Sequence, residues 1–123
     1  MSGTYIFIEA VDFTRAIKTF FPSDESYAEL QLELARQPEK GSVIPGASPL
    51  RKLRWGDQRR GMGKRGGLRI IYIQIPEINV LFMLDIYGKD EADDLTKDEK
   101  KELTALAKEL VTELKERFNR GKL

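Results

Sequence analysis

Between Arg51 and Arg69 the chain carries eight basic side chains, Arg51, Lys52, Arg54, Arg59, Arg60, Lys64, Arg65 and Arg69, against a single acid, Asp57. That window is net +7, so a chain whose formal charge is +1 is −6 elsewhere. Positive charge gathered this way in a nearly neutral chain points to a local site for a polyanion; the plainer alternative is a solvated basic loop. The chemistry open to such a site is narrow. The sequence has no histidine and no cysteine, which excludes or much reduces His-based triads, thiol nucleophiles and Cys/His zinc centres. Guanidinium and ammonium groups remain, and these neutralise phosphate and stabilise an anionic transition state.

Two other patterns lead less far. The run KDEADDLTKDE holds Asp90, Glu91, Asp93, Asp94, Asp98 and Glu99, but it lacks the internal glycine and ligand spacing of a calcium loop, and acids at a helix start are accounted for by the helix dipole. No metal and no cofactor is expected. The glycine-rich GMGKRGG is not a phosphate-cradling loop of the nucleotide-binding kind, because no GK[ST] follows and a strand rather than a helix comes next. It does suit a loop that brings Lys64 and Arg65 close to a nucleic-acid backbone.

The elements that must position these bases are legible from periodicity. TYIFIEA reads as a strand, and VDFTRAIKTFF as a helix with Phe13, Ile17, Phe20 and Phe21 at helical spacing, capped by Asp12 and ended by Pro22. A second helix, capped by Ser23 and stopped by Pro38, carries Tyr27, Leu30 and Leu34, after which EKGSVIPGASP reads as loop. LRKLRW alternates, so Lys52 and Arg54 share one face with Leu50 while Leu53 and Trp55 share the other with Arg51. LRIIYIQI and NVLFMLDIY are near-continuous apolar strands joined at PEI. On the last of these Val80, Phe82, Leu84 and Ile86 are expected to form one apolar face, with Asp85 and Tyr87 on the other, giving a sheet with a core face and a partly charged face. Thr96 and Glu99 make a capping box for a closing helix with a Leu103, Leu106, Leu110, Val111, Leu114 stripe. The expected order is β-α-α-β-β-β-α, in an α+β domain of residues 1–123. No stretch reaches the roughly 20 apolar residues of a membrane span, and the start lacks the basic residues of a signal peptide, so a cytoplasmic, non-membrane protein is expected.

With those elements in place, LRKLRW, GKRGGLRIIY and LDIYGKDEADDLT together resemble the RelE/HigB superfamily of toxins from bacterial type II toxin–antitoxin systems, in particular its HigB-like branch. The resemblance covers nearly the whole chain in element order and residues 50 to 96 in motif. It implies a RelE-like, microbial-ribonuclease-like fold: an antiparallel sheet with two N-terminal helices and one C-terminal helix. It also implies an mRNA endonuclease that works on the ribosome, is silenced by a cognate antitoxin, and cuts without a metal by attack of the ribose 2′-hydroxyl. The family's paired strand bases correspond to Lys52 and Arg54, its next-strand arginine to Arg69, and its GK to Gly88 and Lys89. Well-known members carry an arginine after that GK and a tyrosine before the last helix, where this chain has Asp90 and Thr96, and the general acid and base stay open.

On this reading Lys52, Arg54, Arg69 and Lys89 are the catalytic candidates, the first three at least partly exposed. Arg51, Arg59, Arg60, Lys64 and Arg65 would hold RNA, and Tyr72 and Tyr87 would stack on a base or give a proton, against the alternative of plain packing. Asp85 either orients a cation or is simply solvated, and Arg69 could instead pin the hairpin by an ion pair. Two functions of other classes stand beside the nuclease: an RNA- or ribosome-binding domain that does not cut, and a degenerate toxin fold that only pairs with a partner.

Overall fold

The computed structural model describes residues 4–57, 61, 63, 67–89 and 95–123. In chain order the elements are β1 (Ile6–Glu9), α1 (Val11–Phe20), α2 (Asp24–Arg36), β2 (Ser42–Val43), β3 (Leu50–Trp55), β4 (Leu68–Ile75), a 3-10 turn (Pro76–Ile78), β5 (Val80–Gly88) and α3 (Lys97–Asn119). The strands form one mixed sheet in the order β1-β5-β4-β3-β2, parallel between β1 and β5 and antiparallel elsewhere. This is the expected α+β architecture with one correction and one addition. The sheet is mixed rather than antiparallel, because β1 reaches it ahead of the helical connection and docks beside β5 in the same direction. The two-residue strand β2 lies inside the segment read as loop, being too short and too exposed to show any alternation.

Helices cover both faces of the sheet. On one side Phe13 and Phe20 of α1 and Leu30 and Leu34 of α2 pack against Leu53, Leu68, Ile70, Tyr72, Leu81, Met83 and Ile86. On the other, Ala107 and Leu114 of α3 pack with Leu50, Ile71, Ile73, Ile75, Val80, Phe82 and Tyr87. The expectation of one core face and one partly charged face is therefore corrected. A strand with apolar side chains at nearly every position, like β4, is one buried on both sides.

A bulge governs what β5 presents. Ile71 pairs with Asp85 but Tyr72 pairs with Met83, so Leu84 is an extra residue and the alternation slips there. Val80 and Phe82 face α3, whereas Ile86 faces α1 and α2. The single apolar face expected for Val80, Phe82, Leu84 and Ile86 thus does not form. The slip also turns Asp85 and Tyr87 toward the α3 side, with Ile71 and Arg69 opposite them.

The caps follow local chemistry with one exception. Ser23 accepts the Ser26 N–H at 3.1 Å, and Thr96 accepts the Glu99 N–H at 3.1 Å while the Glu99 carboxylate accepts the Thr96 N–H at 2.8 Å. Helix α1, however, is capped by Ala10 without a side-chain bond, and Asp12 lies inside its first turn, where a negative charge favours the dipole without closing the cap. In α3 the inward position is Ala107, fully buried, and Leu106 is 45% exposed; the leucine stripe is one residue out of phase there. Among the described residues no helix is long and apolar enough to cross a membrane.

Candidate nucleic-acid interface

Two rows of side chains cross the sheet on the α3 side. Arg54 of β3 faces Arg69 of β4, which faces Tyr87 of β5; the adjacent row runs Lys52, Ile71, Asp85. Directly opposed residues on antiparallel strands hold their Cβ atoms about 4.5–5.5 Å apart, where like charges repel. Arg54 is exposed and its side chain makes no hydrogen bond or ion pair among the described residues. Arg69 is 4% exposed, and its Nη1 donates to the Leu68 carbonyl at 3.1 Å. The expected partial exposure holds for Lys52 and Arg54 but not for Arg69, which is buried.

The hairpin that sets this pair explains one glycine of the KRGG motif. A Cβ on Gly67 would collide with the carbonyl oxygens of Trp55 and Gly63 and with the Asp57 nitrogen, so only glycine lets the two arms close just before Arg69. Asp57, the acid of the basic window, is buried there at 1% exposure. Lys89 is exposed at the far end of β5, and its backbone N–H donates to the Gly67 carbonyl at 3.0 Å, which ties the GK step to the same hairpin.

Beside the rows lies a cavity of about 470 Å³ lined by Lys40, Ser42, Lys52, Leu53 and Arg54. Ser42 is the β2 partner of Lys52. Lys40, missed in the linear reading because pairing rather than spacing brings it near, reaches Glu33 at 3.4 Å.

Other expected site residues have different places. Tyr72 is on the opposite face and fully buried; its hydroxyl accepts the Gly41 N–H at 2.8 Å and donates to the Pro38 carbonyl at 2.7 Å. Burial pushes its phenol pKa up. It anchors the chain after α2 and presents no ring to a base. Arg51 shares that face and that task, its Nη1 donating to the Gly41 carbonyl at 2.7 Å and the Glu39 carbonyl at 3.3 Å. Tyr87 joins the cationic row but is 9% exposed and packed in the α3-side core, so it offers no open face for stacking. Arg59, Arg60, Lys64, Arg65 and Asp90 lie outside the described residues.

The result is an α+β protein with a cationic row on one sheet face. No protein-family model matches the chain. Among solved structures it is similar to the E. coli toxin RelE, solved as a double arginine-to-alanine mutant in the free state, with a TM-score of 0.48 and 18% identity over 74% of this chain and 90% of that chain.

Proposed function

We propose that the chain is a RelE/HigB-like endoribonuclease toxin whose cationic row acts on a phosphodiester of messenger RNA. The observation that carries the reading is the placement of Lys52, Arg54 and Arg69 on one face of two paired strands, where several cationic groups converge on the position a phosphate would take. The motifs LRKLRW, GKRGGLRIIY and LDIYGK add to it. In the reaction the ribose 2′-oxygen forms a bond to phosphorus, its proton passes to a base, and the bond to the 5′-oxygen breaks as that oxygen gains a proton. A 2′,3′-cyclic phosphate and a 5′-hydroxyl result. Arg54, Lys52 and Arg69 stabilise the added negative charge of the phosphorane, and Lys89 stands at the edge of the site. Translation inhibition on the ribosome, neutralisation by a cognate antitoxin and a cytoplasmic setting complete the proposal.

Replacing the tyrosine of well-known family members by Thr96, which here is committed to a helix cap, favours a second reading in which the protein binds RNA without cutting. One experiment separates the two. Programmed ribosomes are offered a message with a single 2′-deoxy sugar at the mapped cut and its all-ribose twin. The proposal expects cleavage of the ribose message only, unchanged by EDTA at concentrations that keep the ribosome intact. Cleavage of the deoxy message rules out the mechanism, and binding with no cleavage of either favours the second reading.

A further inference from the structure

The α3 side carries a second concentration of positive charge. A cavity of about 750 Å³ lies between the turn joining β2 to β3 and the first half of α3, with Pro45 and Gly46 on one wall and Lys97, Lys100, Lys101 and Lys108 on the other; Asp98 is the only acid among the described residues lining it. Lys97, Lys101 and Lys108 are exposed and Lys100 is half-buried. The amino groups of these four make no ion pair among the described residues. Lys97, Lys100 and Lys101 also occupy the opening of α3, where the helix dipole disfavours cations and favours an anion.

This cavity is on the same side of the sheet as the cationic row. Leu50 and Ile71, which share their face with Lys52 and Arg54, belong to the core that α3 covers. Strand β2 links the two places: Ser42 lines the cavity that holds Lys52 and Arg54, and Pro45, three residues further on, lines the cavity beneath the lysines of α3. At about 3.3 Å per residue Ser42 and Pro45 are at most about 10 Å apart, so the walls of the two cavities adjoin along one short segment.

We infer that the α3 cavity is a phosphate-backbone subsite for nucleotides flanking the one cut at Arg54 and Arg69. The inference rests on the reading of the protein as one that acts on RNA. Lysines supply point charge without the bidentate geometry that reads a base, so the subsite adds affinity independent of sequence. An acidic protein segment would satisfy the same lysines, but continuity with the cationic row along β2 favours the polyanion that the row already holds.

The test measures binding of a trimer and a dodecamer of 2′-O-methyl uridine, neither of which can be cleaved, to the full chain and to its Lys97→Ala, Lys101→Ala, Lys108→Ala triple variant over a range of salt. The dodecamer should bind the variant about 10-fold or more weakly at low salt, with a salt slope shallower by about 0.7 for each phosphate that the variant no longer neutralises. The trimer should bind both proteins equally, which also reports that the variant is folded. A dodecamer bound as tightly and with the same slope by the variant overturns the subsite and leaves the groove to an acidic protein segment. Failure of the unaltered chain to bind the dodecamer overturns the subsite alone, since the RNA reading itself stands or falls on cleavage by programmed ribosomes.

Discussion

Arg54 and Arg69 oppose each other across β3 and β4, but one is exposed and the other enclosed, and this decides what each substitution does. Arg54→Ala removes a solvated charge, so stability should be little changed while cleavage falls about 10-fold to 1000-fold. Arg69→Ala should reduce cleavage at least as much and also destabilise by about 1–3 kcal/mol, because its buried stem packs in the core. Urea melts run beside cleavage assays check both; an Arg54→Ala protein that is destabilised but cleaves normally would reverse the assignment. A second residue-level expectation concerns alkali. Burial, and then the hydrogen bond that the Tyr27 hydroxyl donates to Glu9 at 2.6 Å, raise the Tyr27 pKa far above its ordinary value. A folded-state pKa above the unfolded one contributes stability that is complete below about pH 10 and drains away as pH rises further. Tyr27→Phe should therefore lower stability at neutral pH but flatten its decline above about pH 10, as read from urea midpoints across that range. The roles of Tyr72 and Arg51 were not legible in the linear chain, because only pairing and burial show that both hold the segment after α2.

Strand alternation in LRKLRW, read directly, places Lys52 and Arg54 on one face, and the structure agrees. Alternation in NVLFMLDIY misleads, because one bulge residue, Leu84, shifts the period by one and carries Asp85 and Tyr87 to the site. A bulge leaves no mark in composition, so the strand was legible and its facing was not. The same limit separates Leu106 from Ala107 in α3, where leucine spacing fits two nearby stripes and packing against the sheet chooses between them. At this scale Gly67 is the sharpest test, since it sits where the arms of the hairpin touch. Gly67→Ala forces the Trp55 and Asp57 backbone away, at a cost of about 1–3 kcal/mol. It should also reduce cleavage more than that loss of stability explains, because Arg69 starts two residues on. Cleavage rates compared at a temperature where both proteins are folded provide the check, and an unchanged rate per folded molecule would show that the hairpin does not set the arginine.

Charge is gathered locally rather than spread evenly over the molecule. Helix α2 carries Asp24, Glu25, Glu29 and Glu33 against Arg36 on one side of the sheet, while the other side bears the cationic row and the lysines of α3. A net charge of +1 thus conceals local concentrations of positive charge that attract an approaching polyanion. The concentration between Arg51 and Arg69 was visible in the sequence. The one on α3 was not, because Asp98, Glu99 and Glu102 offset its lysines in any linear window, and only the fold shows that Asp98 alone of the three shares the cavity wall with them. The same division predicts how stability and activity come apart. Leu30 is fully buried in the core under α1 and α2, opposite the site. Leu103 packs from α3 onto the core that contains Tyr87. Leu30→Ala should cost about 2–5 kcal/mol yet leave cleavage per folded molecule unchanged at low temperature, since Lys52 and Arg54 project from the far face. Leu103→Ala removes a half-buried side chain and should cost less, but it should lower cleavage several-fold by loosening the core that holds Tyr87, the end of the row. Denaturant melts together with initial rates on the same preparations test the pair. If Leu30→Ala is the one that loses activity while still folded, the two layers are mechanically coupled and the site does not belong to the α3 side alone.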